Sequence, residues 1–176
     1  MKRFADLYAE LDASTSTLAK VDALRRYYAE ADAADAAWAT YFLAGGRPRR
    51  VLPTATLRAL ACEAAGIDDW LFEACYQAVG DLAETIALML PATAPRDEDL
   101  GLAAWIEQRL LPLRRLDAAA QAAAVRAAWE GLDAAGRFLF VKLVGGGFRV
   151  GVSKLLVQRA LAGHAGIDPQ LVAQRM

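Results

Sequence analysis

Phe140-Val-Lys-Leu-Val-Gly-Gly-Gly-Phe-Arg-Val150 carries the strongest indication of the fold, because a related stretch lies earlier in the chain. Tyr41-Phe-Leu-Ala-Gly-Gly-Arg-Pro-Arg-Arg-Val51 begins 99 positions before it and has the same order of features. Both copies continue into Arg-Ala-Leu-Ala and Ala-Gly-Ile-Asp, at 58–61 and 65–68 and again at 159–162 and 165–168. The pattern predicts an apolar helix, a glycine-rich basic loop and a second apolar helix.

The remaining sequence also favours helices. Hydrophobic residues make up 56% of the chain, and many of them are alanine, which favours helix. No sustained alternation of apolar and polar residues predicts a sheet. Short strands at 141–144 and 148–152 are an alternative for the second copy, but the glycine-rich loop fits the first copy better. We therefore predict a compact all-α domain with two pseudo-symmetric helix–glycine-rich loop–helix hairpins.

The length of 176 residues predicts one helical domain over 1–176, with possible internal halves at 1–91 and 98–176. Ala92 to Asp99 is the best candidate linker between the halves. A last helix has hardly begun at Asp168-Pro169 when the sequence reaches Met176, so we expect a longer protein. No apolar run approaches the roughly 20 residues that span a bilayer, and no signal peptide is evident. We expect a cytoplasmic protein with no membrane partner.

Charge is distributed unevenly along the chain, although the net charge is only -1. Between residues 36 and 62 the charged residues are all arginines: Arg47, Arg49, Arg50 and Arg58. Residues 134–167 are similar, with Arg137, Lys142, Arg149, Lys154 and Arg159 and no acid. Residues 63–107 instead carry ten acids against the single base Arg96. Two basic loop regions beside an acidic middle are typical of a protein that binds the phosphates of a nucleic-acid duplex.

Two interpretations of the glycines and hydroxyls stay open. Glycine lets backbone N–H groups approach a ligand, and a helix start supplies oriented donors for phosphate; the same glycines can simply cap helices. Ser14 to Thr17 can likewise cap the second helix or contact phosphate.

The sequence contains no catalytic constellation and no set of metal ligands. Cys62 and Cys75 have no metal-ligand spacing with the lone His164. We predict that both cysteines are small buried side chains, and that His164 is a capping or surface residue. The lack of a catalytic constellation also disfavours an independent small-molecule enzyme.

Several ordered features resemble one family. They are the opening Phe4-x-x-Leu-Tyr8 helix, the Ser/Thr segment, Ala-Gly-Ile-Asp before a helix, Gly80-Asp-Leu-Ala-Glu84 and Phe138-Leu-Phe-Val-Lys-Leu-Val-Gly-Gly-Gly-Phe-Arg-Val-Gly-Val-Ser-Lys-Leu155. The chain resembles the N-terminal DNA-binding domain of bacterial ATP-dependent DNA ligases that are similar to archaeal and eukaryotic replicative enzymes. The resemblance implies a monomeric domain, associated with the nucleoid, that serves DNA repair, replication and recombination. It also implies contact with the backbone and minor groove of nicked duplex, without sequence preference, beside the adenylation and OB-fold domains of the same polypeptide.

The resemblance carries DNA-binding roles onto positions of three segments. They are Gly45, Gly46, Arg47, Arg49 and Arg50 in the first loop, Gly146, Gly147, Arg149, Gly151, Ser153 and Lys154 in the second, and Thr15 and Thr17 near the N-terminus. The alternative is a helical scaffold that recruits DNA-repair proteins and does not contact DNA.

The nucleophile of such ligases is a lysine in Lys-x-Asp-Gly, and this chain has no such motif. Lys20-Val-Asp-Ala23 comes nearest but lacks the glycine, and we interpret it as a chance match. ATP and Mg²⁺ are therefore implied for the full-length enzyme, and no cofactor or catalytic residue is expected in this chain. We expect the chain to be the N-terminal part of a longer ligase and to be inactive alone.

Overall fold

The computed structural model describes residues 1–46, 51–92, 100–146, 148 and 150–176. The helices are α1 Lys2–Ala13, α2 Thr17–Glu30, α3 Ala33–Leu43, α4 Thr54–Ala65, α5 Asp69–Val79, α6 Leu82–Met89, α7 Leu102–Ala104, α8 Ala118–Gly131, α9 Ala134–Gly145, α10 Lys154–Ala165 and α11 Pro169–Arg175. A π-helical segment, Trp105–Leu110, and a 3-10 segment, Leu111–Arg115, continue α7. The all-α prediction is confirmed, since no described residue lies in a strand. The alternative strand at 141–144 is wrong because these residues lie inside α9.

Short polar side chains and glycines set the helix boundaries. A serine or aspartate before a helix accepts a hydrogen bond from an N–H of its first turn, which satisfies one donor that the helix leaves unpaired. The capping residues are Ser16, Asp81, Asp117, Asp133, Ser153 and Asp168. Glycines with positive φ follow α4, α5, α9 and α10, where a side chain would be strained: Gly66, Gly80, Gly146 and Gly166.

The chain divides into two compact units that are interleaved along the sequence. Unit 1 comprises Met1–Arg47, Gly101–Ala103 and Phe148–Met176, and unit 2 comprises Pro48–Leu100 and Ala104–Gly147. Within each repeated hairpin, the first helix therefore belongs to one unit and the second helix to the other. The sequence halves 1–91 and 98–176 and their pseudo-symmetry stay a prediction.

The core of unit 1 is built on α2 and α10, which pack along each other. The two helices run in the same direction, because Lys20 contacts Gly151 before α10 begins and Tyr28 contacts His164 near its end. Asp35 of α3 fixes the short α7: its carboxylate accepts hydrogen bonds from the N–H groups of Leu102 at 3.0 Å and Ala103 at 2.8 Å.

The core of unit 2 is built on α6 and α9. Ile86 and Phe140 are fully buried there, and Trp105 packs edge-on against Phe140 at 6.0 Å between ring centroids. Arg137 of α9 is buried, and its guanidinium donates to the carbonyls of Trp129 at 2.7 Å and Pro91 at 2.8 Å. Among the helices of the described ranges, none is long and apolar enough to cross a bilayer.

Candidate nucleic-acid interface

The Ser/Thr segment and the second glycine loop meet at one end of unit 1. Ser16 caps α2, its hydroxyl accepting from Ala19 N–H at 3.3 Å, and Ser153 caps α10 in the same way through Leu156 N–H at 3.3 Å. Because α2 and α10 are parallel, both N-termini lie at the same end of the helix pair. Thr15, Thr17 and Lys154 are exposed there. This end of unit 1 therefore combines two positive helix-dipole ends with exposed hydroxyls and an ammonium group.

Buried side chains anchor the second loop in the core of unit 1. Phe148 stacks on Phe4 at 5.7 Å between ring centroids and meets Tyr8 edge-on at 5.1 Å. It also packs against Phe42 at the end of α3, at 5.7 Å. Val150 is buried as well, whereas Gly151 is exposed and has a φ of 61°. The predicted site residues Gly147 and Arg149 lie outside the described residues.

Sequence reasoning missed the contact of Lys20 with the second loop. Its ammonium group donates to the carbonyl of Gly151 at 2.9 Å and lies 3.4 Å from that of Val150. In the sequence, Lys20 stands in a chance match to the nucleophile motif, and its helix position gives no sign of a partner 131 positions away. The one signal in the sequence is that Lys20 lies on the face of α2 whose other residues are apolar and buried.

The glycines of the first loop act as a helix cap. Gly45 has a φ of 95°, and Gly46 N–H donates to the carbonyl of Tyr41 at 2.8 Å, as in a Schellman cap. A Cβ on Gly46 would lie 2.4 Å from that carbonyl oxygen, so no side chain fits. Gly146 ends α9 with a φ of 72°. The capping interpretation is therefore confirmed for these three glycines, and their contact with DNA stays a prediction.

Val51, the residue at the end of the first loop, lies in unit 2. Val51 is buried, and its N–H donates to the carbonyl of Val144 in the last turn of α9 at 3.1 Å. This hydrogen bond brings the end of the first loop next to the helix that begins the second copy of the repeat. Arg47, Arg49 and Arg50, the predicted phosphate ligands of this loop, lie outside the described residues.

Three cations of the basic regions are bound inside unit 2, which sequence reasoning did not anticipate. Arg58 Nε donates to Asp69 at 2.6 Å, and the Arg58 guanidinium also pairs with Glu73. Lys142 pairs with Asp81. The third is Arg137, held by carbonyls as described above. Carboxylates or carbonyls of the protein already bind these three cations, so the basic regions offer fewer cations for a ligand than the sequence suggests.

The pKa values of the acidic partners reflect these contacts. Hydrogen bonds from Gln77 and then Arg58 hold the pKa of Glu73 below its usual range. Burial by itself would raise the pKa of Asp81, but hydrogen bonds from Lys142 and from the N–H of Glu84 outweigh burial and lower it. Both carboxylates are therefore ionised near neutral pH, which keeps their partner cations neutralised.

The Arg-Ala-Leu-Ala motif of the second copy has different surroundings from that of the first copy. Arg159 stands in the same Arg-Ala-Leu-Ala motif as Arg58, is exposed, and forms no ion pair with a described residue. Asp69 and Glu73, the partners of Arg58, correspond to Pro169 and Ala173 in the second copy. Lys154 is also exposed and without an ion pair in the described part of the chain. The two cations lie on α10, within its first two turns.

The remaining sequence candidates have no part in this arrangement. Cys62 and Cys75 are free thiols that are partly exposed, so the prediction of buried cysteines is wrong. Partial burial raises the pKa of the Cys62 thiol. His164 is exposed in the last turn of α10, as predicted. No group of side chains suited to a metal ion occurs among the residues that the structure describes.

The described residues thus form an all-α domain with hydroxyl caps and basic side chains at one end of a parallel helix pair. Residues 1–162 match the family described as DNA ligase N terminus. The chain therefore belongs to the family of DNA ligase N-terminal domains, which confirms its resemblance to ATP-dependent DNA ligases. No curated protein matches this sequence.

Proposed function

We propose that this domain binds nicked duplex DNA through the phosphate backbone and minor groove, without sequence preference. It positions the nick for sealing by the adenylation and OB-fold domains of the same ligase polypeptide. The Lys-x-Asp-Gly nucleophile, ATP and Mg²⁺ belong in this proposal to the rest of the enzyme, which acts as a monomer in the bacterial cytoplasm at the nucleoid.

The observation that carries the proposal is the meeting of two capped helix N-termini at one end of unit 1. The N–H groups of a first helical turn have no intrahelical partner and favour an anion. Two such ends lie side by side here, with the hydroxyls of Thr15 and Thr17 and the ammonium group of Lys154 exposed beside them. Phosphate contacts of this kind fix a protein on a duplex but read no sequence.

The test is a titration of labelled nicked duplex at several salt concentrations. We expect log K to fall linearly with log salt, at about −0.9 per phosphate contact, and to differ little between duplex sequences. Lys154→Ala should weaken binding and reduce the magnitude of the slope by roughly 1. Lys2→Ala removes an exposed lysine at the start of α1 and is the matched control. Salt-independent binding, or no binding, would favour the helical scaffold instead.

A further inference from the structure

Lys20 occupies an unusual position for a lysine. Only 9% of its surface is exposed, and its ammonium group contacts the carbonyl oxygens of Gly151 and Val150. No acidic residue in the described part of the chain forms an ion pair with it. Burying a cation costs free energy unless hydrogen bonds or an opposite charge compensate for the lost hydration. Its two acceptors are consecutive carbonyls of the loop that leads into α10.

The direction of these carbonyls fixes the direction of the next two N–H groups. The described peptide bonds are all trans, and in a trans peptide the N–H points opposite to the C=O. Since the carbonyls of Val150 and Gly151 face Lys20, the N–H groups of Gly151 and Val152 face away from it. Neither N–H donates to another described residue. These two donors come immediately before the free N–H groups at the start of α10.

The absence of a side chain at Gly151 leaves room for the ammonium group of Lys20. A Cβ at this position would lie 3.0 Å from Lys20 Nζ, and the φ of 61° is unfavourable for other residues. Gly166, at the far end of α10, has a similar φ of 66° but nothing within 4 Å of its Cβ position. The two glycines therefore share a backbone conformation, but only Gly151 lies close to a lysine side chain.

We propose that Lys20 is a positioning residue for phosphate binding, which rests on the proposed function. It holds the Val150 and Gly151 carbonyls inward, so that the N–H groups of Gly151 and Val152 extend the donor set of the α10 N-terminus. Lys20 acts through the loop and does not itself contact DNA. The N–H groups of Gly151 and Val152 then contact phosphate, and Lys20, on a helix distant in sequence, sets their orientation.

The test compares Lys20→Met and Gly151→Ala in the salt titration with labelled nicked duplex. Each should raise Kd by about tenfold, the equivalent of one charge-assisted hydrogen bond. The combined variant should bind no more weakly than either single variant, because both changes displace the same loop. Lys20→Met should instead add to Lys154→Met, since Lys154 contacts phosphate independently. Lys2→Met controls for the loss of a charge, and Gly166→Ala controls for alanine at a positive φ.

Several outcomes separate this inference from the proposed function. Wild-type binding that is salt-sensitive and unchanged in Lys20→Met would overturn the role of Lys20 and leave DNA binding intact. Additive losses for Lys20→Met and Gly151→Ala would also overturn it, because Lys20 would then act independently of the loop. If wild type shows no salt-sensitive binding, both proposals fall. Circular dichroism checks folding, and if Lys20→Met does not fold, equal affinities of Gly151→Ala and Gly166→Ala would refute the inference.

Discussion

Arg159→Ala should lower the salt dependence of DNA binding, whereas Arg58→Ala should not. The two arginines stand in the same Arg-Ala-Leu-Ala motif but differ in their surroundings. Asp69 accepts from Arg58 at 2.6 and 2.8 Å, and Glu73 accepts from the same guanidinium. Arg159 is exposed, lacks these acids and begins the second turn of α10. No described acid balances the charge of Arg159, so we expect it to interact with a phosphate near the N-terminal end of the helix.

The magnitude follows from counterion release. Losing one phosphate contact reduces the magnitude of the slope by about 0.9, so raising salt from 50 to 200 mM should cost wild type roughly 3.5-fold more affinity than Arg159→Ala. For Arg58→Ala the expected change in slope is close to zero, because its positive charge is already balanced. Fluorescence anisotropy with a labelled nicked duplex at four or more salt concentrations measures both slopes. Equal slopes for wild type and Arg159→Ala, or a reduced slope for Arg58→Ala, would refute this reasoning.

Four further outcomes test other features. Asp35→Ala should lower the free energy of unfolding by about 1–2 kcal/mol in urea titrations, since it removes the cap of α7, and unchanged stability would argue against that role. Gly46→Ala should be destabilising by about 1–3 kcal/mol because its Cβ would overlap the Tyr41 carbonyl, whereas Gly145→Ala, with open space around it, should not be. The lowered pKa of Asp81 contributes stability above the unfolded pKa of about 3.9 that is lost as pH falls further; Asp81→Asn should reduce this acid sensitivity in urea midpoints measured across pH. The isolated chain with labelled ATP and Mg²⁺ should remain unlabelled, because it lacks the lysine nucleophile; stable labelling would contradict this.

The helical fold was predictable because its signals are local. Ser153 and Asp168 each precede a helix, and Gly66 and Gly166 follow one, so short-range hydrogen bonding and backbone freedom placed these boundaries. The segment after Leu102 was less predictable. Its apolar spacing indicates an ordinary helix, whereas Trp105–Leu110 is π-helical.

The candidate interface was only partly predictable, since its electrostatics depend on distant partners. Arg58 and Arg159 look equivalent in sequence, and only the position of α5 shows that Arg58 is neutralised. Lys20 reads as an ordinary helical lysine until the fold brings Gly151 to it. The anchoring role of Phe148 likewise requires knowing that α1 and α3 meet the second loop. Such pairings are set by tertiary packing, which no local pattern encodes.

The interleaving of the two units has a consequence for how the chain folds. Phe4 and Tyr8 pack on Phe148, and α2 packs on α10, so unit 1 needs residues from both ends of the chain. Contacts of such long sequence separation form slowly, because a large loop must close before they are made. During synthesis, the parts of α1 and α2 that pack on Phe148 and α10 stay exposed until those residues have emerged from the ribosome. Unit 2, drawn mainly from the middle of the chain, can fold earlier, and a chain cut before α10 should aggregate.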